Sequence, residues 1–387
     1  MKKKQKFQLN LDSFLGIKAK LKQFFYIDWT KASDDEYPIA EWLEEKPKGI
    51  TWSQIIKWKN VGDVMVCCTD NKSFYEEDSQ NFNLENQLRI INRKSWEEKR
   101  SLMNFLKSHL QKCFRRKKNI EALRSSYEIM LININELLRR VCIIIFEDVK
   151  LKNYFPTMVW LMAAVSKGYI LQSYHVNLEL KFINDLCLED GYTDLSELSK
   201  YDNHFKTVDV RNLLLEIENN ELLTNEQKSL IYSIGLRIGF GGREGDMQMI
   251  FDYSLIWYNK FKLYSNTNKD IIENKENKVE KMDIIKSKFV SIEFCQNNRF
   301  QKIEDFIYQG VDMNSYFKIV PEIYEEIEHH YSKEEIENTI WCLSSGWNVR
   351  KPPMYDQKMK FCWEEIKDKV IRKQLFFLRI ILSKLYS

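Results

Sequence analysis

Four charged residues inside one aliphatic helical pattern are the first candidates for chemistry. Arg139 and Arg140 are followed by Glu147 and Asp148. Arg140 and Glu147 lie two helical turns apart and therefore share a face. Charges among so many aliphatic side chains need partners, because burying an unpaired ion is costly. One reading is a structural charge network that fixes neighbouring helices. The other is a site for a metal ion or for phosphates, since paired carboxylates hold Mg²⁺. Adjacent helical residues point about 100° apart, so Glu147 and Asp148 converge poorly on one ion. The spacing favours the structural network, and no catalytic residue, metal ligand or cofactor is assigned.

The second group is basic. Lys112, Arg115, Arg116, Lys117 and Lys118 crowd the end of a helical pattern and the turn after it. Cations near a helix C-terminus are stabilising in themselves, and a solvated basic face is the ordinary outcome. The sharper reading is a patch that follows the phosphate backbone of DNA or RNA without reading sequence. The third group is glycine-rich, Gly239-Phe240-Gly241-Gly242-Arg243-Glu244-Gly245-Asp246. It resembles a dinucleotide fingerprint only in spacing, because that fingerprint follows a strand and this segment follows a helical pattern. A tight helix–helix turn with positive φ is expected, with Asp246 as N-cap. The alternative has Arg243 and the next helix's first amides receiving a phosphate.

Other polar features point less far. His329 and His330 follow acidic residues on a helical pattern, with no Glu-x-x-His from a second helix as a di-metal bundle requires. Ser344-Ser345-Gly346-Trp347 lacks the flanks of a nucleophile elbow. The 8 cysteines include no CxxC pair and lie mostly in apolar runs, so buried reduced thiols are expected.

The elements that must position these groups are mostly helices. Ser95 is a candidate N-cap for a helix running to about Phe114. A short helix over 120–131 follows. Tyr127, Met130, Leu131, Ile134, Leu137, Leu138, Val141, Cys142, Ile145 and Val149 keep the rhythm of one buried face. Ile143 and Ile144 make its second half apolar on both sides, so this helix is expected at the centre. Helices are also expected over 156–166, 174–187, 208–219, 224–238 and 247–261. Thr224 and Gln227 have the capping-box form. Lys333 to Cys342 and Phe361 to Leu385 complete the set, separated by Pro352-Pro353. The first 95 residues read as a small mixed region in which Val61 to Thr69 is a buried strand and Asp70 to Asn86 a loop. The expected divisions are 1–95, a helical core over 96–261, a charged linker or mobile loop over 262–288, and a helical region over 289–387.

Composition narrows the class. With 12 glycines and 6 prolines in 387 residues, an all-β chain is excluded, because its turns need more of both. The hydrophobic share of 44% supplies an ordinary core, and the net charge of +3 does not announce nucleic-acid binding by itself. The longest apolar run, Phe155 to Val165, is too short for a bilayer. The start of the chain has no apolar h-region, so a cytoplasmic or nuclear location is expected. No phosphate-cradling Gly-x-x-x-x-Gly-Lys motif is present, so ATP hydrolysis is not expected.

One segment resembles a known family. Leu110-Gln111-Lys112-Cys113-Phe114-Arg115, Glu121-Ala122-Leu123, Leu138-Arg139-Arg140-Val141 and Phe146-Glu147-Asp148-Val149 are similar to the helical collar that follows the ATPase module in replication-associated, clamp-loader-like AAA+ proteins of the RarA/MgsA type. Lys112, Arg115, Ala122, Leu123, Arg139, Arg140, Glu147 and Asp148 take the matching positions, while Cys113 replaces the usual serine and Lys150 the usual glycine. The resemblance covers about a tenth of the chain. It implies a collar without its motor: a multi-helix, collar-like core serving oligomer assembly, DNA and replication partners. The expected fold is therefore mainly α, and the expected function a non-enzymatic accessory of DNA replication or repair. The alternatives are a metal-dependent nuclease using Glu147, Asp148 and acids elsewhere, and an interaction protein without nucleic acid. No membrane partner is expected.

Overall fold

The structure, a computed structural model, describes residues 21–32, 37–70, 96–201, 205, 207–271, 292–302, 305–306, 313–327 and 330–386. It is mainly helical, with a small four-stranded mixed sheet near its N-terminus. Ser95, most of the expected loop after Asp70 and His329 lie outside the described residues.

The sheet comprises β1 (Phe24–Asp28), β2 (Glu41–Leu43), β3 (Trp52–Trp58) and β4 (Gly62–Thr69), in the order β2-β1-β4-β3. β1 runs parallel to β4 and antiparallel to β2, and β3 with β4 forms a hairpin. Phe25 and Ile27 alternate inward on β1, and β4 contributes Val64, Val66 and Cys68. This alternation buries one sheet face against helices.

The helices are α1 (Trp96–Arg115), α2 (Asn119–Asp148), α3 (Phe155–Val165), α4 (Ser173–Leu188), α5 (Val210–Glu218), α6 (Asn225–Gly239), α7 (Glu244–Ile271), α8 (Ile292–Asn297), α9 (Met313–Ile327), α10 (Lys333–Ile340) and α11 (Gln357–Tyr386). A π-helical turn, Trp341–Ser345, extends α10. α3 is buried along Phe155 to Ala164, as a helix apolar on all sides must be. Its Trp160 indole donates to the carbonyls of Phe25 and Cys67, both at 3.1 Å. From β2, the Trp42 main chain and indole reach Ser229 and Ser233 of α6 at 3.1 Å each. Sheet and helices thus share one core.

α2 holds the expected central place, with Val141 to Phe146 buried on every side. It also departs from the expected stripe. The backbone of Asn133 is extended, breaking the helix within the predicted apolar face, and the Asn133 side chain accepts the N–H of Asn135 at 3.0 Å. A polar side chain that satisfies a free amide restarts a helix in the manner of an N-cap. α7 corrects two expectations. It continues through residues 262–271, so the linker does not begin at 262, and it starts at Glu244, which places Asp246 in the first turn rather than at the cap. A smaller apolar cluster joins α9, α10 and α11, with Ile323, Ile336, Ile340, Ile366 and Val370 at its centre.

Candidate functional site: a charge network where helix ends meet

α1, α2 and α4 all end in one neighbourhood. The last carbonyls of a helix have no partner within it and carry a partial negative charge. Here they are met by the segment 344–351, between α10 and α11. Arg350 donates to Glu189 O and Cys187 O, each at 2.7 Å, and to Phe114 O. Lys351 Nζ donates to Glu147 O at 2.6 Å. One arginine therefore closes α1 and α4, and the next residue closes α2. The Val349 amide donates to Arg115 O at 2.9 Å, which pins the segment in place.

Side chains of α1 and α2 complete the network. Arg115 Nε lies 2.8 Å from Asp148 Oδ1, and its Nη1 donates to Ser345 O at 2.9 Å. Asp148 is 1% exposed. Its carboxylate also accepts from Gln111 Nε2 at 2.8 Å and Asn348 Nδ2 at 3.3 Å. Gln111 forms the bridge of the cluster: its amide donates to Glu147 while its carbonyl accepts from Arg140. Burial pushes the Glu147 carboxyl up, against the pull of Arg140, and burial likewise pulls Arg140 down, against Glu147.

The sequence places Arg140 and Glu147 on one face of the helix, as members of one charge network. In the structure Gln111 bridges the two, and the direct ion pair is Arg115 with Asp148. Arg139 faces elsewhere and donates to Phe240 O and Gly241 O at 3.3 Å. Arg237 joins it on Gly241 O at 3.0 Å. The glycine segment is a tight turn after α6, with Gly241 at φ +73°. Gly239 has a different reason: a Cβ there would lie 2.5 Å from Trp58 Nε1, so its hydrogen lets α6 press against β3.

The five expected nucleic-acid contacts do not form one face. Lys112 is 2% exposed and belongs to the interior. Arg115 pairs with Asp148. Arg116 donates to Ser344 O and lies under the Trp347 ring, 5.7 Å from its centroid, and burial pulls its guanidinium down to about 10. Lys117 pairs with Asp190. Lys118 alone of the five is exposed. Arg243 is exposed too, in the turn before α7. Periodicity could not anticipate this, because the partners Ser344, Ser345, Asn348, Arg350 and Lys351 come from two hundred residues away. Their one sequence signal was a run of small, polar and basic residues just before Pro352-Pro353.

The rival chemistries can be weighed against this geometry. Both carboxylates of a supposed nuclease are engaged, Asp148 by three donors and Glu147 by Gln111. Among the described residues no group of three or more His, Cys, Asp or Glu could hold a metal ion. His330 pairs with Glu365 at 2.7 Å on an exposed face. A second polar chain, missed by sequence, runs from Asp70 to Tyr169 at 2.6 Å and on to His175 Nε2 at 3.4 Å. His175 Nδ1 accepts the Gln172 amide at 3.0 Å, which puts the ring proton on Nε2 and makes the histidine a cap of α4. Seven of the eight cysteines are buried and all are free. No helix among the described residues is long and apolar enough to cross a membrane. Compared with family models, curated proteins and solved structures, the chain matches none.

Proposed function

We propose that this protein is a non-enzymatic accessory of DNA replication or repair that works by contact, and that its contact surface is the end of α1 together with the segment docked on it. The observation that carries the reading is how the cations there are partnered. Arg116, Arg350 and Lys351 meet main-chain carbonyls instead of carboxylates, and Lys118 stands exposed beside them. Helix ends offset only about half a charge each, so the surface keeps a positive field that suits a phosphate backbone. The resemblance of residues 110–149 to a replication collar supports the same direction, and it is the source of the expectation of self-association. Glu147 and Asp148 act in this reading as structural anchors.

The experiment is a salt titration of DNA binding by the full chain. Binding should weaken as salt rises, because each neutralised phosphate releases counterions. Lys118→Gln should lower the log-log slope by about 1 with folding unchanged. Absence of binding at low salt by the folded wild type defeats the reading. A second reading, a protein partner without nucleic acid, is favoured by the exposed apolar side chains of Trp347, Val349 and Met354. It would stand if the chain sediments with a protein partner and DNA does not compete.

A further inference from the structure

Cations and aromatic rings pair repeatedly between α10 and the start of α11. The Arg115 guanidinium lies 5.9 Å from the Trp341 ring centroid, and that of Arg116 lies 5.7 Å from Trp347. Lys351 Nζ is 5.8 Å from the Tyr192 ring and Lys360 Nζ is 5.3 Å from Tyr355. A cation at this range is held by the ring's negative face. The rings are not buried by these contacts: Trp347 remains 43% exposed and Trp341 37%. Gly346 sets the two indoles in place. A Cβ on it would lie 2.8 Å from Trp341 Nε1, so only glycine lets the chain fold tightly over Trp341 and turn Trp347 outward. The Gly346 amide donates to Trp341 O at 2.7 Å, closing that turn. The tryptophans are thus positioned, exposed, and backed by positive charge.

Exposed indole faces among cations match unpaired bases on a phosphodiester chain. Every base has a π-face, and stacking on aromatic side chains combined with a basic surface is how single strands are held without sequence preference. Duplex DNA offers its bases only as edges in the grooves, so it gains nothing from these rings. An acidic peptide would satisfy the cations but bring no flat ring to the indoles. We infer that the surface formed by Trp341 and Trp347 with Lys118 at the end of α1 binds single-stranded nucleic acid, bases stacking on the tryptophans and phosphates meeting the lysine. This rests on the nucleic-acid reading above and names its substrate class.

The test uses the full chain with a labelled oligo-dT strand and a duplex of equal length at one salt concentration. The single strand should bind more tightly, and its titration should quench the intrinsic tryptophan fluorescence. Trp347→Leu should weaken single-strand binding about tenfold, within the range for losing one stacked base, and weaken duplex binding less. Trp347→Phe, which keeps an aromatic face, should retain most of the affinity, so a loss from misfolding is told apart from a loss of stacking. Lys118→Gln should weaken both ligands alike. Equal binding of strand and duplex, with Trp347→Leu and Trp347→Phe indistinguishable, overturns the stacking inference and leaves the backbone reading standing. Binding of neither ligand by folded protein defeats both. Binding of poly-glutamate with the same loss in Trp347→Leu overturns the inference in favour of an acidic partner.

Discussion

At the scale of single residues, the pairing of Arg115 with Asp148 is the contact on which the charge network turns. Removing the arginine leaves a carboxylate 1% exposed without its cation. Breaking a buried pair in this way costs about 3–5 kcal/mol. Lys117, by contrast, pairs with an Asp190 whose side chain is 94% exposed, where solvent screens the attraction. Chemical denaturation should therefore find Arg115→Ala far more destabilised than Lys117→Ala. Equal midpoints would show that Asp148 finds water once Arg115 is gone. A second residue-scale prediction concerns Glu179 of α4. It is 3% exposed and neither carboxylate oxygen has a hydrogen-bond partner. Burial pushes its carboxyl up to about 8 from an ordinary 4.5. Between those pH values the unfolded chain releases a proton that the folded chain keeps. Stability should then fall as pH rises across that window, by up to about 1.4 kcal/mol per pH unit, and level off above it. Glu179→Gln cannot ionise, so urea denaturation at several pH values should show a flatter dependence than wild type. Parallel curves would mean that Glu179 is ionised in the folded protein.

At the scale of elements, helix-to-sheet packing depends on one missing side chain. Gly239 ends α6 against Trp58 of β3, where a methyl group would overlap the indole. Overpacking of this kind costs about 1–3 kcal/mol, so Gly239→Ala should lower thermal stability measurably. Gly245→Ala should not, because a Cβ there meets nothing within 4 Å. If both variants melt together, α6 shifts without cost. The bidentate contact of Arg299 with Glu128, at 2.6 and 2.8 Å, ties the chain after α8 to α2 in the same fashion as Arg115 and Asp148 tie α1 to α2.

At the scale of the whole molecule, α9, α10 and α11 have an apolar cluster of their own. Their attachment near residues 344–351 is polar, through Arg350, Lys351 and Asn348. Leu378 of α11 also reaches the main core, but a unit with its own cluster, docked at 344–351 through polar contacts, should open before the main core does. Arg350→Ala leaves carbonyls of α1 and α4 without their donor. Hydrogen exchange should then accelerate over 333–370 while β1, β4 and α3 stay protected. Uniform acceleration would mean that the two cores open together.

Much of this arrangement is readable along the chain, because its causes are local. A 3.6-residue apolar rhythm predicts α1, α4 and the C-terminal half of α2. The Thr224 hydroxyl and Gln227 amide cap α6 from three residues apart, at 3.2 and 3.0 Å. The apolar run from Val64 to Cys68 marks β4 as a buried strand. The low glycine and proline content excludes an all-β class. Which charge meets which was settled in three dimensions. Gln111 separates Arg140 from Glu147, and Arg350 reaches three helix-end carbonyls more than 160 residues away. The basic stretch at Lys112 to Lys118 looked uniform because all five residues carry the same charge. Tertiary packing gave them different surroundings: an interior site, an ion pair with Asp148, a place beneath Trp347, a surface pair with Asp190, and open solvent. Helical spacing specifies a side chain's angle around its own axis, but the angle says nothing of what stands opposite. That depends on where α1, α2 and α4 end together and on the distant segment that closes them.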